Sequence, residues 1–216
     1  MPWSGASNRR RHRAPLNWEK EQVAEKKTSP DRLIAAATRA LQQGDGDFEM
    51  STIARTAGVS VGLAYHYFGS KAGLVAAVVE HFYEALDNEV MMARLPVSDW
   101  LERERLRIQY SVAFHYRHPL AAVILQRLRR EPSVMAIEQQ RLERQIEAGV
   151  GNMLQGQKQG SVSAELDPAA AATFTLAGSR ALIARALALP PEARPTEQTL
   201  SEQIWGLVRQ ATRAGG

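Results

Sequence analysis

No stretch of this 216-residue chain alternates apolar and polar residues long enough to make a strand, while from residue 28 onward apolar side chains return every three or four positions. That spacing lines them along one face of a helix and scatters them over both faces of a strand. Alanine, leucine, arginine, glutamate and glutamine dominate the same region, and all five favour helix interiors. The chain is therefore expected to be all-α, and caps and breakers divide it into nine helices, with three short ones first.

Ser29-Pro30 offers an N-cap followed by a proline at the first helical position, where a missing N–H costs nothing. The first helix is expected to reach about Gln43, with Leu33, Ala36, Ala37, Ala40 and Leu41 as its apolar stripe and Gly44-Asp45-Gly46-Asp47 as its stop. Helices of about 50–57 and 61–67 follow, on either side of Ala57-Gly58-Val59-Ser60. Gly69-Ser70 opens a long helix from Lys71 to about Met92, with Leu74, Val78 and Phe82 in line and Val75 and Val79 beside them, until Leu95-Pro96 breaks it. Three more are expected at about 99–117, 119–130 and 132–159, then a loop over 160–165. The last two, about 168–189 and 196–212, flank a Pro190–Pro195 linker.

Composition narrows the function classes. The chain has no cysteine, which excludes a disulfide framework, thiolate zinc sites and cysteine nucleophiles. Arg180 and Arg185 interrupt the most hydrophobic region, so no apolar run reaches the ~18–20 residues of a membrane span. The basic start lacks the apolar segment of a secretory signal, and a cytoplasmic protein with no membrane partner is expected. The formal charge of +4 is unevenly placed: residues 1–27 hold seven Lys/Arg against three Glu, and the rest of the chain balances. Such an arm is either a solvated tail or a polyanion contact, because basic groups that neutralise phosphates release counterions.

The segment from Ile53 to Lys71 carries the functional signal. Two helices that cross steeply need a turn residue free of the Cβ penalty, and Gly58 supplies it. Ile53, Ala54 and Ala57 let the helices approach closely; Val59, Ala64 and Phe68 anchor the second helix, and the Ser60 hydroxyl caps it. Val61, Gly62, Leu63, Tyr65, His66 and Tyr67 are left facing outward. A soluble protein seldom exposes such a group without a partner, and hydroxyls for phosphates with methyls for thymine suit a major groove. Lys71 stands in the first turn of the next helix, where a cation is misplaced against the dipole unless an anion such as phosphate docks beside it.

These residues resemble the DNA-binding domain of TetR-family transcriptional regulators. Ala36-Ala37, Ile53-Ala54, Ala57-Gly58-Val59-Ser60, Tyr65, Phe68 and Ser70-Lys71 stand at matching positions over roughly residues 28–80. The resemblance implies two domains: a three-helix helix-turn-helix unit over 28–80, with the motif at about 50–68, and a helical effector-binding and dimerisation domain over 81–216. Ser60, Val61, Gly62, Leu63, Tyr65, His66, Tyr67 and Lys71 are the expected DNA contacts on a double-stranded operator. Three positions depart from the family's pattern. Glu49 replaces the usual Thr or Ser at the entry to the second helix, Pro30 replaces an Arg, and Ala72-Gly73 replaces a Glu-containing pair. The glycine is expected to weaken the fourth helix by up to ~1 kcal/mol.

By the same resemblance, the fourth to seventh helices enclose a small-molecule effector and the last two form a homodimer. Small residues along the eighth helix, and Leu200, Ile204, Leu207, Val208 and Ala211 on the ninth, fit a four-helix bundle between subunits or the cap of a monomer core. Trp100, Tyr110, Phe114, His115, Tyr116, Met135, Met153 and Phe174 are the large or polar-tipped candidates for ligand contact, each more readily read as ordinary core. His115 and His118 lack a third partner nearby, so no metal or cofactor is expected. Arg180 is expected to pair or snorkel at the dimer edge. The chain shows no nucleophile–base pair, carboxylate dyad or phosphate loop of an enzyme. The expected function is a ligand-responsive repressor on a palindromic operator, with activation, or an interaction role without DNA, as the alternatives.

Overall fold

The computed structural model describes residues 28–44 and 47–213. The basic arm of residues 1–27 and the Asp45-Gly46 pair expected to end the first helix lie outside the described residues. Among the described residues there are nine α-helices and no strand. Helix α1 spans Ser29–Gln43. Its N-cap is Thr28, not Ser29: the Thr28 backbone N–H donates to the Asp31 carboxylate at 3.0 Å, and Asp31 N donates back to the Thr28 hydroxyl. This capping box satisfies two groups at once, which a lone Ser29 cap cannot do.

Helices α2 (Met50–Ala57), α3 (Val61–Phe68) and α4 (Lys71–Leu86) complete an N-terminal bundle around Leu33, Ala37, Leu41, Ile53, Ala54 and Leu74. Gly58 has φ 67°, a left-handed turn that the chain takes between α2 and α3. Helix α4 ends earlier than expected. Asp87–Met91 winds instead as a π-helical turn, with the Arg107 guanidinium donating to the Val90 carbonyl at 2.7 Å and the Asp87 carboxylate drawn to Arg141. Side chains that compete for backbone and cap groups displace the regular ladder there.

Helix α5 covers Trp100–Arg117, α6 Leu120–Gln126, α7 Pro132–Lys158, α8 Pro168–Leu187 and α9 Glu197–Thr212. The helix expected over 119–130 is thus shorter, and its last turn, Leu128–Arg130, is 3-10. Asp99, Asp167 and Thr196 cap α5, α8 and α9. One continuous core joins α1–α4 to α5, α6, α8 and α9, and Arg127 fastens the end of α1 by donating to the Gly44 carbonyl at 2.9 Å. A second cluster gathers Trp100, Met153, Val162, Ala171 and Ala172. No described helix is long and apolar enough to cross a membrane.

Candidate nucleic-acid interface and internal cavity

Helix α3 is held by very little of itself. Only Ala64 is fully buried; Leu63 and Phe68 are half-buried, while Val61, Tyr65 and Tyr67 are 40%, 47% and 45% exposed. Ser60, Gly62 and His66 are exposed as well. The Ser60 hydroxyl accepts from Leu63 N at 3.1 Å, as the sequence indicated, and Gly69 closes the helix with φ 71°. Of the sequence-predicted contacts, Ser60, Val61, Gly62, Tyr65, His66 and Tyr67 are thus exposed, while Leu63 and Lys71 are half-buried.

Lys71 already has an anion. Its ammonium pairs with the Asp47 carboxylate and lies 5.5 Å from the centroid of the Phe48 ring. Asp47 is held below the usual carboxylate range by its hydrogen bond with Lys71 first, then by the Phe48 backbone N–H. The helix start is satisfied by Ser70, whose hydroxyl accepts from Gly73 N at 3.0 Å. Gly73, read from sequence as a weak residue in α4, is the residue that fits: a Cβ there would overlap the carbonyl oxygen of Phe68. Glu49 stands at the N-cap of α2 without a side-chain cap bond.

A cavity of about 100 Å³ lies among α4, α5, α7, α8 and α9. Its wall is largely apolar, but a polar network crosses it. Arg141 on α7 chelates Asp87 at 3.1 and 2.7 Å and stacks 4.3 Å from the centre of the Tyr83 ring. The Tyr83 hydroxyl donates to Glu138 at 2.6 Å and accepts from Arg180 at 3.1 Å, while Arg180 also pairs with Glu138. Burial pushes the Tyr83 phenol well up, so it stays a neutral donor. Arg180 therefore turns inward, onto the cavity wall, and not to the outer edge of α8.

Of the sequence-predicted ligand contacts, His115 and Met153 line this cavity. Trp100 and Phe114 are fully buried in packing outside its lining, Phe114 against Phe82 and His118. Tyr116 donates to the Pro195 carbonyl, and Tyr110, Met135 and Phe174 are exposed. Sequence reasoning missed Tyr83, Glu104, Arg107, Arg141 and Gln145, because helical spacing alone does not show which polar side chains face a cavity. Among the described residues no group of three or more His, Asp or Glu side chains is gathered for a metal.

His115 is a neutral acceptor in this wall. Its Nδ1 donates to the Ser111 carbonyl at 2.7 Å, and burial, only partly offset by that bond, holds the ring down at about 4. The unfolded ring titrates near ~6.5, so on acidification the unfolded chain takes up the proton first. Stability is expected to fall as pH drops from about 6.5 to 4, by up to about 3 kcal/mol. His115→Gln should flatten that part of a urea-denaturation pH profile; parallel profiles for both proteins would refute the assignment.

The outer faces of α8 and α9 form a separate apolar groove. Phe174, 65% exposed, and Leu207, 54% exposed, flank Gly178, Leu182 and Ala211. Leu200, Ile204 and Val208 turn into the subunit, so the expected α9 stripe divides between an inner and an outer face.

Residues 33–78 match the family model for bacterial regulatory proteins of the tetR family. Over 77 residues the chain is 42% identical to the HTH-type transcriptional regulator BetI of Pseudomonas aeruginosa, which covers 35% of this chain and 39% of that protein. The chain's match thus spans less than half the length of these curated relatives. The fold extends further. The fatty acid degradation regulator FadR of Bacillus halodurans superposes with a TM-score of 0.67 at 18% identity, over 88% of this chain and all of that one. AibR, crystallised with isovaleryl coenzyme A and operator DNA, gives 0.62 at 17% identity, over 83% and 97%.

Proposed function

We propose, because residues 33–78 match the family model for bacterial regulatory proteins of the tetR family, that the protein is a homodimeric, ligand-responsive repressor that binds a palindromic DNA operator. The observation that carries the reading is α3, which buries one side chain and presents Val61, Gly62, Tyr65, His66 and Tyr67 outward. Residues 28–80 form the DNA-binding domain and residues 81–216 the effector and dimer domain. The apolar groove of α8 and α9 supports pairing with a second copy through a four-helix bundle. A twofold dimer sets two α3 helices about one turn of duplex apart, ~34–36 Å or a multiple.

The largely apolar cavity supports the effector half of the reading, as does AibR, whose crystals hold a small molecule together with operator DNA. Helix α4 belongs to both regions: its start carries Lys71 beside α3 and its end carries Tyr83 and Leu86 on the cavity wall. Coupling of ~1–3 kcal/mol between such sites changes occupancy 5–150-fold. The basic arm adds phosphate contacts that the body of the domain lacks.

A mobility-shift titration with the DNA upstream of the protein's own coding region tests this across a salt series. Salt-sensitive, saturable binding is expected, and deletion of residues 1–27 should lower affinity and flatten its dependence on salt. An equal slope without the arm removes its proposed role. No binding even in dilute buffer refutes the repressor and favours a protein-interaction role.

A further inference from the structure

We infer that the cavity accepts an apolar molecule whose polar end is a hydrogen-bond donor, above all a protonated amine, seated on the carboxylate of Glu104. The inference rests on reading the cavity as the effector site. Glu104 lines that cavity and an adjoining one, together with Met91, Arg107, Gln145 and Met153, so its carboxylate stands where the two meet. The side chain is 14% exposed, and its Oε1 is sealed from solvent with no hydrogen-bond partner. The nearest cation, Nε of Arg107, lies 3.6 Å away, too far for a hydrogen bond, and the same guanidinium donates to the Val90 carbonyl.

The other two guanidiniums on the wall are taken: Arg141 by Asp87, Arg180 by Glu138. Glu104 is therefore the carboxylate on this wall with one oxygen, Oε1, left without a hydrogen bond, Arg107 standing beside it at ion-pair distance. A buried acceptor left unsatisfied is costly, and a ligand that brings an N–H recovers that cost on binding. Burial above all raises the Glu104 carboxyl, opposed by the charge of Arg107, by Asn152 and by Arg103. The rotation of a terminal carboxylate is soft, so either oxygen can present itself to the ligand. His115 faces the cavity as a neutral ring and adds no charge against a cation. Leu86, Ile108, Leu125, Ile183, Ile204 and Val208 supply the apolar wall. A carboxylate-headed ligand finds the opposite: a facing anion, with Arg141 and Arg180 held by Asp87 and Glu138.

Calorimetric titration of the full chain with octylamine, octanol and octanoate, with hexyl and decyl homologues to cover length, reads the head group at constant body. The amine should bind about ten-fold or more tighter than the alcohol, with octanoate weakest. Glu104→Gln should bring amine and alcohol to within about two-fold while leaving the alcohol unchanged. If Glu104→Gln does not fold, the head-group order of the unmodified protein and of Glu104→Asp decides. Octanoate as the tightest binder, an amine preference that survives Glu104→Gln, or no binding by any of the series overturns the inference. The titration contains no DNA. Failure to bind operator would therefore sink the repressor reading while leaving the head-group order standing, and indifference to head group in an operator-binding protein would sink this inference alone.

Discussion

Trp100→Ala is expected to cost about 3–5 kcal/mol of folding stability, a large part of what a chain of this size has in reserve. The indole is fully buried at the first position of α5. Its Nε1 donates to the Asn152 carbonyl at 3.0 Å, and its backbone N–H donates to Gln159 at 2.8 Å. Across α7 the fit is close enough that Gly156 has no room for a Cβ, which would stand 2.9 Å from the indole nitrogen. Alanine would leave a void between α5, α7 and Val162, together with a carbonyl that has lost its donor. Urea denaturation followed by circular dichroism measures the loss, and a deficit under about 1.5 kcal/mol would mean that the cluster repacks.

Replacing Tyr65 and His66 together with alanine should lower operator affinity by at least about 4 kcal/mol, near 1000-fold, because a twofold assembly loses each contact twice. Both side chains are exposed, so stability should hardly move. The two residues are expected to differ in kind. A Tyr65→Phe change that removes a phosphate contact weakens all sequences alike, whereas His66→Ala or Leu63→Ala alters which operators are preferred. Uniform weakening at Leu63 and His66 in a competition assay would argue against base reading by α3. Lys71→Ala should weaken binding less than an unpaired lysine would, since Asp47 already holds the ammonium.

Much of this was legible in residue order because it rests on local rules. The stripe of α1, the line of Leu74, Val78 and Phe82 on α4, and the left-handed glycine between α2 and α3 all follow from helical period or from one backbone angle. The cavity was not. Arg141 stood out in no pattern and Arg180 read as a charge at the dimer edge, since nothing in their own helices reveals that Asp87 and Glu138 lie opposite them. His115 was found because a polar ring stood among apolar neighbours; Glu104 was hidden by Glu102, Arg103 and Arg105 around it. The end of α4 failed for the same reason: the groups that unwind it into a π turn arrive from α5 and α7, far away in sequence.

The two ends of α4 have unlike moorings. Asp87, just past its last turn, is gripped by Arg141 and Gln145, while its first turn follows α3 after only Gly69 and Ser70. Its 16 residues make a strut about 24 Å long, so a tilt of roughly 5° about the gripped end swings the other by about 2 Å. A step of that size is comparable to the tolerance of a side chain against a base edge, which is the distance that matters if α3 reads DNA as proposed.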